Sequence, residues 1–373
     1  MRVLVINGGS SSVKCWYGDL PDGPLPNDPL PPLWTEHSDL THHPGAAAAV
    51  LAPVLKSLLE KHPQIDVVGH RIVHGGPLYR QSTALTPEVR AAIAQQVEFA
   101  PSHNRFELEA VRTVDAVIGT QVPQIAVFDT GFHSTLDPAA YVYPGPYAWL
   151  EEGVRRYGFH GINHQYCAGR APASRKLVIC HLGNGASLCA VRNGKSVDTT
   201  MGFTPLEGLM MGTRSGSIDP GIIVYLIRHR GYTAEQLDEI LNKQSGLLGV
   251  SGVSGDMQEI MQAMAAGNSR AQLAFDIYAH RLTREIGAML AVLGGMDTLI
   301  FTGGVGENCA PLRQIACDRL AFLGLKIDKQ QNQSPKLDQD IATQDSTVRV
   351  LLIRANEEWQ IAKECHASLA PSP

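Results

Sequence analysis

The chain opens Met1-Arg2-Val3-Leu4-Val5-Ile6-Asn7-Gly8-Gly9-Ser10-Ser11-Ser12-Val13-Lys14, and this stretch decides how the rest is read. Four apolar residues run straight into a Gly/Ser turn, and a second strand-like run, Val13 to Tyr17, follows. A turn of this composition lets backbone N–H groups and hydroxyls approach phosphate oxygens closely. Taken alone, it fits a ligand-free hairpin as well. The pattern returns half a chain later, where Leu177-Val178-Ile179-Cys180 leads into His181-Leu182-Gly183-Asn184-Gly185-Ala186-Ser187 and then into Leu188 to Val191. Two copies of strand, turn and strand predict a duplicated α/β architecture with a phosphate-binding turn in each half. A third apolar strand, Thr298 to Phe301, ends in Thr302-Gly303-Gly304-Val305-Gly306-Glu307-Asn308.

At 373 residues the chain exceeds one ordinary core and suits two domains of comparable size. Hydrophobic residues make up 44% and charged residues 18%, the balance of a globular protein rather than a disordered one. The net charge is -5, with no basic run that could track a phosphate backbone, so no nucleic-acid partner is expected. No segment holds the roughly 18 apolar residues of a membrane span. The opening apolar run is also far shorter than a signal-peptide core, so the expected location is the cytoplasm. Cys15, Cys167, Cys180, Cys189, Cys309, Cys317 and Cys365 are scattered and include no Cys-x-x-Cys pair, which predicts reduced, buried thiols.

Gly194-Lys195-Ser196 resembles the end of a Walker A loop, but Cys189 stands where that loop needs its first Gly. Asn193-Gly194 reads as a hairpin turn instead. Thr86 to Phe99 reads as a helix with Thr86 as N-cap and Pro87 in its first turn. Ala271 to Leu293 reads as another, stopped by Gly294-Gly295. The Pro-rich stretch from Leu20 to Leu33 is expected to be a surface loop. Gly and Pro recur from Thr130 to Gly161, the expected hinge zone, giving domains of 1–130 plus 357–373 and of 131–356.

A set of motifs in order along the chain resembles the acetate kinase family. They are Asn7 to Lys14, Gly69-His70-Arg71-Ile72-Val73-His74-Gly75-Gly76, Val127-Phe128-Asp129-Thr130-Gly131-Phe132-His133 and Tyr157-Gly158-Phe159-His160-Gly161. His181 to Ser187, Met201 to Gly208, Gly212-Thr213-Arg214-Ser215-Gly216, Phe301 to Asn308 and Asn356-Glu357-Glu358 complete the set. The resemblance implies two duplicated actin/Hsp70/sugar-kinase-like domains with a central active-site cleft. It also implies ATP/ADP and Mg²⁺ as cofactors, a small-molecule carboxylate as substrate and a homodimer.

The implied chemistry needs no general base, because a small carboxylate is already ionised and nucleophilic. What it needs is cations and a metal to bring two anions together and to stabilise the transferring phosphoryl group. By resemblance Arg71 helps bind the acid, while Arg214 and His160 stabilise the moving group and His103 is a further active-site histidine. Asp129 and Glu357 match the Mg²⁺ region, and Asn7 lies near the metal and phosphates. Ser10, Ser12 and Lys14 line the first turn. His181, Gly183, Asn184, Gly185 and Gly212 belong to the nucleotide side, with Gly304, Val305, Gly306 and Asn308 beside the adenosine. Val73, Phe159 and Pro205 are implied to form the apolar pocket for the acid's alkyl end, bordered by Ser102.

Simpler readings stand beside these. Asp129 follows an apolar strand and should emerge at its carboxyl end, where α/β sheets bind ligands, but a turn or cap Asp fits too. Glu357 fits a helix cap, Glu358 fits the metal role equally, and Asp219 and Asp256 read as structural. His74, His133, His164 and His181 flank motifs and fit a loop-orienting role. Ser102 replaces the family's Leu and Arg105-Phe106 its Pro-Ala close to the acid site, so the acid's identity stays open among acetate, propionate, butyrate and a hydroxy acid, while Ser217 replaces an Asp, which alters local loop electrostatics and leaves Arg214 in place. The expected reaction is direct, in-line and reversible transfer to give acyl phosphate and ADP. Rival readings are a sugar or polyol kinase, and a nucleotide-switched clamp that hydrolyses ATP slowly without any small acceptor.

Overall fold

A computed structural model describes residues 1–9, 12–39, 47–95 and 101–369, with the backbone alone for 101–105. Two compact units emerge: residues 1–134, 160–170 and 356–373 in the first, and residues 135–159 and 171–355 in the second. The segment His160–Arg170 therefore belongs with the N-terminal unit, whereas the sequence reading put it in the other.

The first unit is built on a sheet of β1 (Arg2–Gly8), β2 (Ser12–Asp19), β3 (Trp34–Asp39), β4 (Val67–Ile72), β5 (Thr83–Ala84) and β6 (Gln124–Phe128), in the order β3-β2-β1-β4-β6-β5. β1 pairs in parallel with β4, and β4 with β6, while the remaining neighbours are antiparallel. Val3 to Ile6 are all buried, the pattern of a central strand covered on both faces. On one face Leu4, Ile6 and Val68 pack with Leu51, Leu55 and Val114 from the helices Ala47–Lys61 and Pro101–Val117. The next residue along β4, Gly69, faces Ile361 and Cys365, so the C-terminal helix Glu357–Leu369 covers the opposite face.

The second unit repeats this plan. Its strands are β7 (Lys176–Leu182), β8 (Ala186–Arg192), β9 (Lys195–Thr199), β10 (Thr298–Thr302), β11 (Gln339–Asp340) and β12 (Arg349–Leu352). Their order is β11-β12-β10-β7-β8-β9, again with two parallel pairs, β7/β10 and β10/β12, between antiparallel ones. Position for position, β7 to β9 stand where β1 to β3 stand, and β10, β12 and β11 where β4, β6 and β5 stand. The duplication expected from the two turns therefore extends to all six strands of each sheet. Helix Ser269–Leu293 packs along β7 and β8. It begins two residues before the expected start because Asn268 is the cap, its Oδ1 accepting the Arg270 and Ala271 N–H groups at 3.0 Å each.

No helix or strand interrupts the Pro-rich loop from Leu20 to Leu33. Helix Pro87–Gln95 starts where expected, and residues 96–99 of the expected helix lie outside the described residues. All seven cysteines are buried and none is in a disulfide. Among the described residues no helix is long and apolar enough to cross a membrane.

Candidate active site

Three neighbouring strands of the first sheet each deliver one polar residue at their carboxyl ends: Asn7 in β1, Arg71 in β4 and Asp129 directly after β6. Arg71 Nη1 donates to the Gly8 carbonyl at 2.7 Å, and Nη2 to Asp129 Oδ2 at 2.9 Å. Its Nε lies 3.9 Å from Glu357 Oε2, beyond hydrogen-bond range, and is a buried donor without an acceptor. Burial opposes the Arg71 charge, but Asp129, Glu357 and Glu107 outweigh it and raise the guanidinium pKa.

Asp129 is 1% exposed. Its N–H donates to the Ile72 carbonyl at 2.8 Å, which extends the β4/β6 pairing, and its Oδ2 also accepts the His160 N–H at 2.9 Å. Asp129 Oδ1 is buried with no hydrogen-bond partner. His160 takes a left-handed backbone (φ 56°), unusual for a residue with a side chain and a conformation that clusters at functional sites. Gly161 N–H donates to the Asp129 carbonyl at 2.8 Å, and a Cβ on Gly161 would sit 2.2 Å from that oxygen. Only glycine allows so close an approach.

Asn356 caps the C-terminal helix, its Oδ1 accepting the Trp359 N–H at 3.0 Å. That leaves Glu357 and Glu358 in the first turn, where the helix dipole favours negative charge. Asn7 Nδ2 donates to Glu357 Oε2 at 2.9 Å and to Glu358 Oε1 at 2.8 Å. Glu357 is the carboxylate beside Arg71, whereas Glu358 lines a separate cavity of about 340 Å³ with Lys14, Cys15, Glu36 and His37. Lys14 is exposed on β2, opposite Asn7 in register.

In the second unit a cavity of about 890 Å³ is lined by Gly183, Asn184, Gly304, Val305 and Asn308, together with Gly255, Met257, Met261 and Cys309. Gly212 packs so closely on Asn184 that a Cβ would lie 2.3 Å from Asn184 Oδ1. Asn308 Nδ2 donates to the Gly304 carbonyl at 2.8 Å within helix Gly303–Asn308. The fully buried Arg313 holds that helix's end through the Gly306 and Glu307 carbonyls at 2.7 and 2.9 Å. Arg214 Nη1 donates to the Pro205 carbonyl at 2.7 Å. Among the described residues no carboxylate forms an ion pair with Arg214, and burial pushes its pKa down to about 10. Arg156 steadies the same loop, donating to the carbonyls of Thr199, Thr200 and Met201 at 3.0, 3.0 and 2.9 Å.

The profile described as "Acetokinase family" matches residues 34–363. The chain belongs to the acetokinase family. It is 52% identical over 399 residues to an acetate kinase of Gloeobacter violaceus, covering 98% of both chains. An acetate kinase of Nostoc punctiforme is 51% identical over 400 residues, again with 98% of each covered. Among solved structures, the acetate kinase of Porphyromonas gingivalis matches with TM-score 0.86 and 36% identity, covering 99% of both chains. A propionate kinase from Francisella tularensis matches with TM-score 0.87 and 35% identity, over 97% of this chain and 98% of that one. These findings bear out the expected family and the duplicated α/β fold.

Within this acetokinase, the first unit brings together Asn7, Arg71, Val73, Asp129, His160 and Glu357 from the candidate residues. The second holds Phe159, His181, Gly183, Asn184, Gly185, Pro205, Gly212, Arg214, Gly304, Val305, Gly306 and Asn308. Gly183, Asn184, Gly304, Val305 and Asn308 line the cavity, while His181 in β7, Gly185 and Gly306 flank it. Ser12 opens β2. Ser10 and the side chains of Ser102 and His103 lie outside the described residues. Asp219 and Asp256 each cap a helix, Asp256 also lining the cavity. Ser217 accepts the Gly208 N–H through its hydroxyl at 3.0 Å.

Several neighbours were not singled out from sequence. Met257 and Met261 are one helical turn apart in Met257–Ala265, a spacing that also describes a core-facing stripe. Glu107 is 3% exposed, and both its carboxyl oxygens lie 3.1 Å from the Val73 N–H. Nothing in the run Arg105-Phe106-Glu107-Leu108 announces a buried carboxyl group.

Proposed function

We propose that the protein catalyses reversible phosphoryl transfer between ATP and a short-chain carboxylate, with acetate the first candidate. One observation carries this reading: among the described residues, a buried Arg71 Nε–H has no acceptor and a buried Asp129 Oδ1 beside it has no donor. Buried polar groups are ordinarily satisfied, and orphans at the ends of parallel strands point to absent partners. The donor suits an incoming carboxylate. The oxygen suits a hard cation, since Mg²⁺ takes oxygen ligands and touches protein through one or two carboxylates.

Asp129 and Glu357 fit Mg²⁺ on this ground, with Asn7 orienting Glu357. The ion would neutralise charge on the phosphate oxygens. The protein's own contribution is positional and electrostatic. Arg71 stays cationic and holds the acid, whose carboxylate oxygen attacks without a base. Arg214 offers the phosphoryl oxygens a guanidinium that no carboxylate has neutralised. His160, Phe159, Pro205, Ser102 and His103 keep their proposed roles around the moving group and the alkyl end. The 890 Å³ cavity takes the nucleotide, with Gly304 and Val305 against the adenosine. A methylene in an apolar pocket is worth only about 1–3 kcal/mol, so propionate is the nearest competitor.

The same reading includes a cytoplasmic homodimer. Helix Pro220–Arg230 has no buried residue, and Ile222, Val224, Tyr225 and Ile227 are 44–50% exposed. A helix exposed all round that carries these apolar side chains suits burial against a second copy.

The test is ADP production from MgATP with formate, acetate, propionate, butyrate, lactate and glycerol, each with an Arg71→Ala control. Turnover that depends on one short acid and vanishes in the variant is expected. Slow ADP release indifferent to every acid would replace this reading with the nucleotide-switched clamp, and turnover with glycerol alone with a polyol kinase.

A further inference from the structure

We propose that Glu107 is a positioning residue for the acid: its carboxyl group clamps the Val73 N–H and so locks the end of β4, with Arg71 and Val73, to the helix that carries His103 one turn earlier. This rests on the reading of Arg71 and Val73 as the acid's contacts. The β4/β6 pairing ends at Ile72 and Asp129, so the Val73 N–H has left the sheet ladder. Glu107 supplies the acceptor, at 3.1 Å through both oxygens and from 34 residues away in sequence. No backbone element substitutes for it.

Its charge state matters to an anionic substrate. Arg71 already faces Asp129 at 2.9 Å and Glu357 at 3.9 Å, and a third carboxylate would turn the surroundings repulsive. Burial pushes the Glu107 pKa up to about 8, against the pull of Arg71 and the Val73 N–H and with Asp129 adding to the rise. Of the other charges on the packed helices, Arg90 is engaged with Asp115 and Glu109 with the Ala48 N–H, while Glu88 and Arg112 are exposed. Burial thus favours the protonated form of the clamp. It fixes the strand end without competing with the acid for Arg71.

Steady-state kinetics of Glu107→Ala and Glu107→Gln, with acid and MgATP varied separately from pH 6.5 to 9, test the proposal. Hydrogen exchange of residues 67–76 in the substrate-free protein is followed alongside. Glu107→Ala should raise the KM for the acid at least tenfold, leave the KM for MgATP within about twofold and speed exchange at Val73. Glu107→Gln, which keeps an acceptor for Val73, should recover most of the loss. It should also abolish the rise in acid KM expected of the unaltered protein above about pH 8. Faster exchange with an unchanged acid KM would reduce Glu107 to a structural residue, and unchanged exchange would remove the clamp itself. A Gln variant as impaired as the Ala variant would also overturn the proposal. Failure of the unaltered protein to use any short acid would instead sink the functional reading, while the exchange result still judged the clamp.

Discussion

Removing Arg71 should damage the first unit as well as the chemistry, and the two effects can be separated. In Arg71→Ala, Asp129 keeps only the His160 N–H at 2.9 Å on Oδ2, and its Oδ1 is already unpartnered. The carboxylate is 1% exposed, so water cannot replace the guanidinium. Stranding a buried charge in this way costs about 3–5 kcal/mol. Asp129→Asn is milder, because Arg71 retains the Gly8 carbonyl at 2.7 Å and the nearby Glu357. Losing one charge-assisted hydrogen bond costs about 1.5–3 kcal/mol. In the double variant the stranded charge is gone, so its loss should fall short of the summed single losses by about 1–3 kcal/mol. Urea unfolding followed by tryptophan fluorescence reads this, since Trp16, Trp34 and Trp359 lie in the first unit, with Trp16 and Trp359 in edge contact at 6.3 Å. Additivity within about 0.5 kcal/mol would refute the buried-pair argument. Arg71→Lys should not rescue activity, because one ammonium cannot reach both the Gly8 carbonyl and Asp129 while leaving a donor for the acid.

Gly212→Ala pushes a methyl against Asn184 Oδ1 at 2.3 Å and the Gly255 carbonyl at 2.8 Å, so the KM for MgATP should rise at least tenfold with the acid KM unmoved. Equal changes in both would detach Gly212 from the nucleotide. Ile227→Glu places a charge among the exposed apolar side chains of Pro220–Arg230 and should yield monomers by sedimentation; an unchanged mass would move the dimer contact elsewhere. His70 is 1% exposed, and burial pulls its pKa down to about 4 despite the bond to Gln124 Oε1. The unfolded chain protonates near 6.5 and the native one resists, so stability should fall by up to about 3 kcal/mol as pH drops from 6.5 to 4. A His70→Gln variant with the same pH slope in urea melts would contradict this. Arg214→Leu removes a cation penalised by burial, so it should melt no lower than the unaltered protein while losing transfer; a marked drop in melting temperature would mean that Arg214 is paired after all.

Much of this was legible because local chemistry and tertiary role coincide. The unbroken burial of Val3 to Ile6 and the turn after it mark a central strand at once, and the second copy at Leu177 to Val191 makes the duplication visible. Asp129 could be placed at a strand's carboxyl end for the same reason. Glu357 and Glu358 could not be told apart, since both occupy the first turn of one helix; Arg71, nearly 300 positions away in sequence, distinguishes them. Glu107 was illegible because its partner is a single N–H freed where two strands part. His160–Arg170 was placed in the other unit since no composition break marks the return, only the hydrogen bonds of His160 and Gly161 to Asp129 and packing against β6 and the C-terminal helix.

The two arginines show why a carboxylate, rather than a hydroxyl, fits the acceptor position. Arg71 is surrounded by carboxyl groups that raise its pKa, whereas burial alone acts on Arg214 and lowers it to about 10. A site that activated a hydroxyl would need a free base at the acceptor. In the first unit Asp129 Oδ2 is instead occupied by Arg71 and the His160 N–H, its Oδ1 is the oxygen proposed for the cation, and Glu107 is occupied by Val73 with its pKa raised by burial. What Arg71 has left to give is a donor, its Nε–H. A donor is useless for deprotonating an alcohol and well suited to an acid that arrives already ionised. Arg214 is costly without an ion-pair partner, and in the proposed site phosphoryl oxygens would recover that cost. On that proposal the acceptor side is preset for an anion by compensated charge, and Arg214 would supply the uncompensated charge for an incoming phosphate.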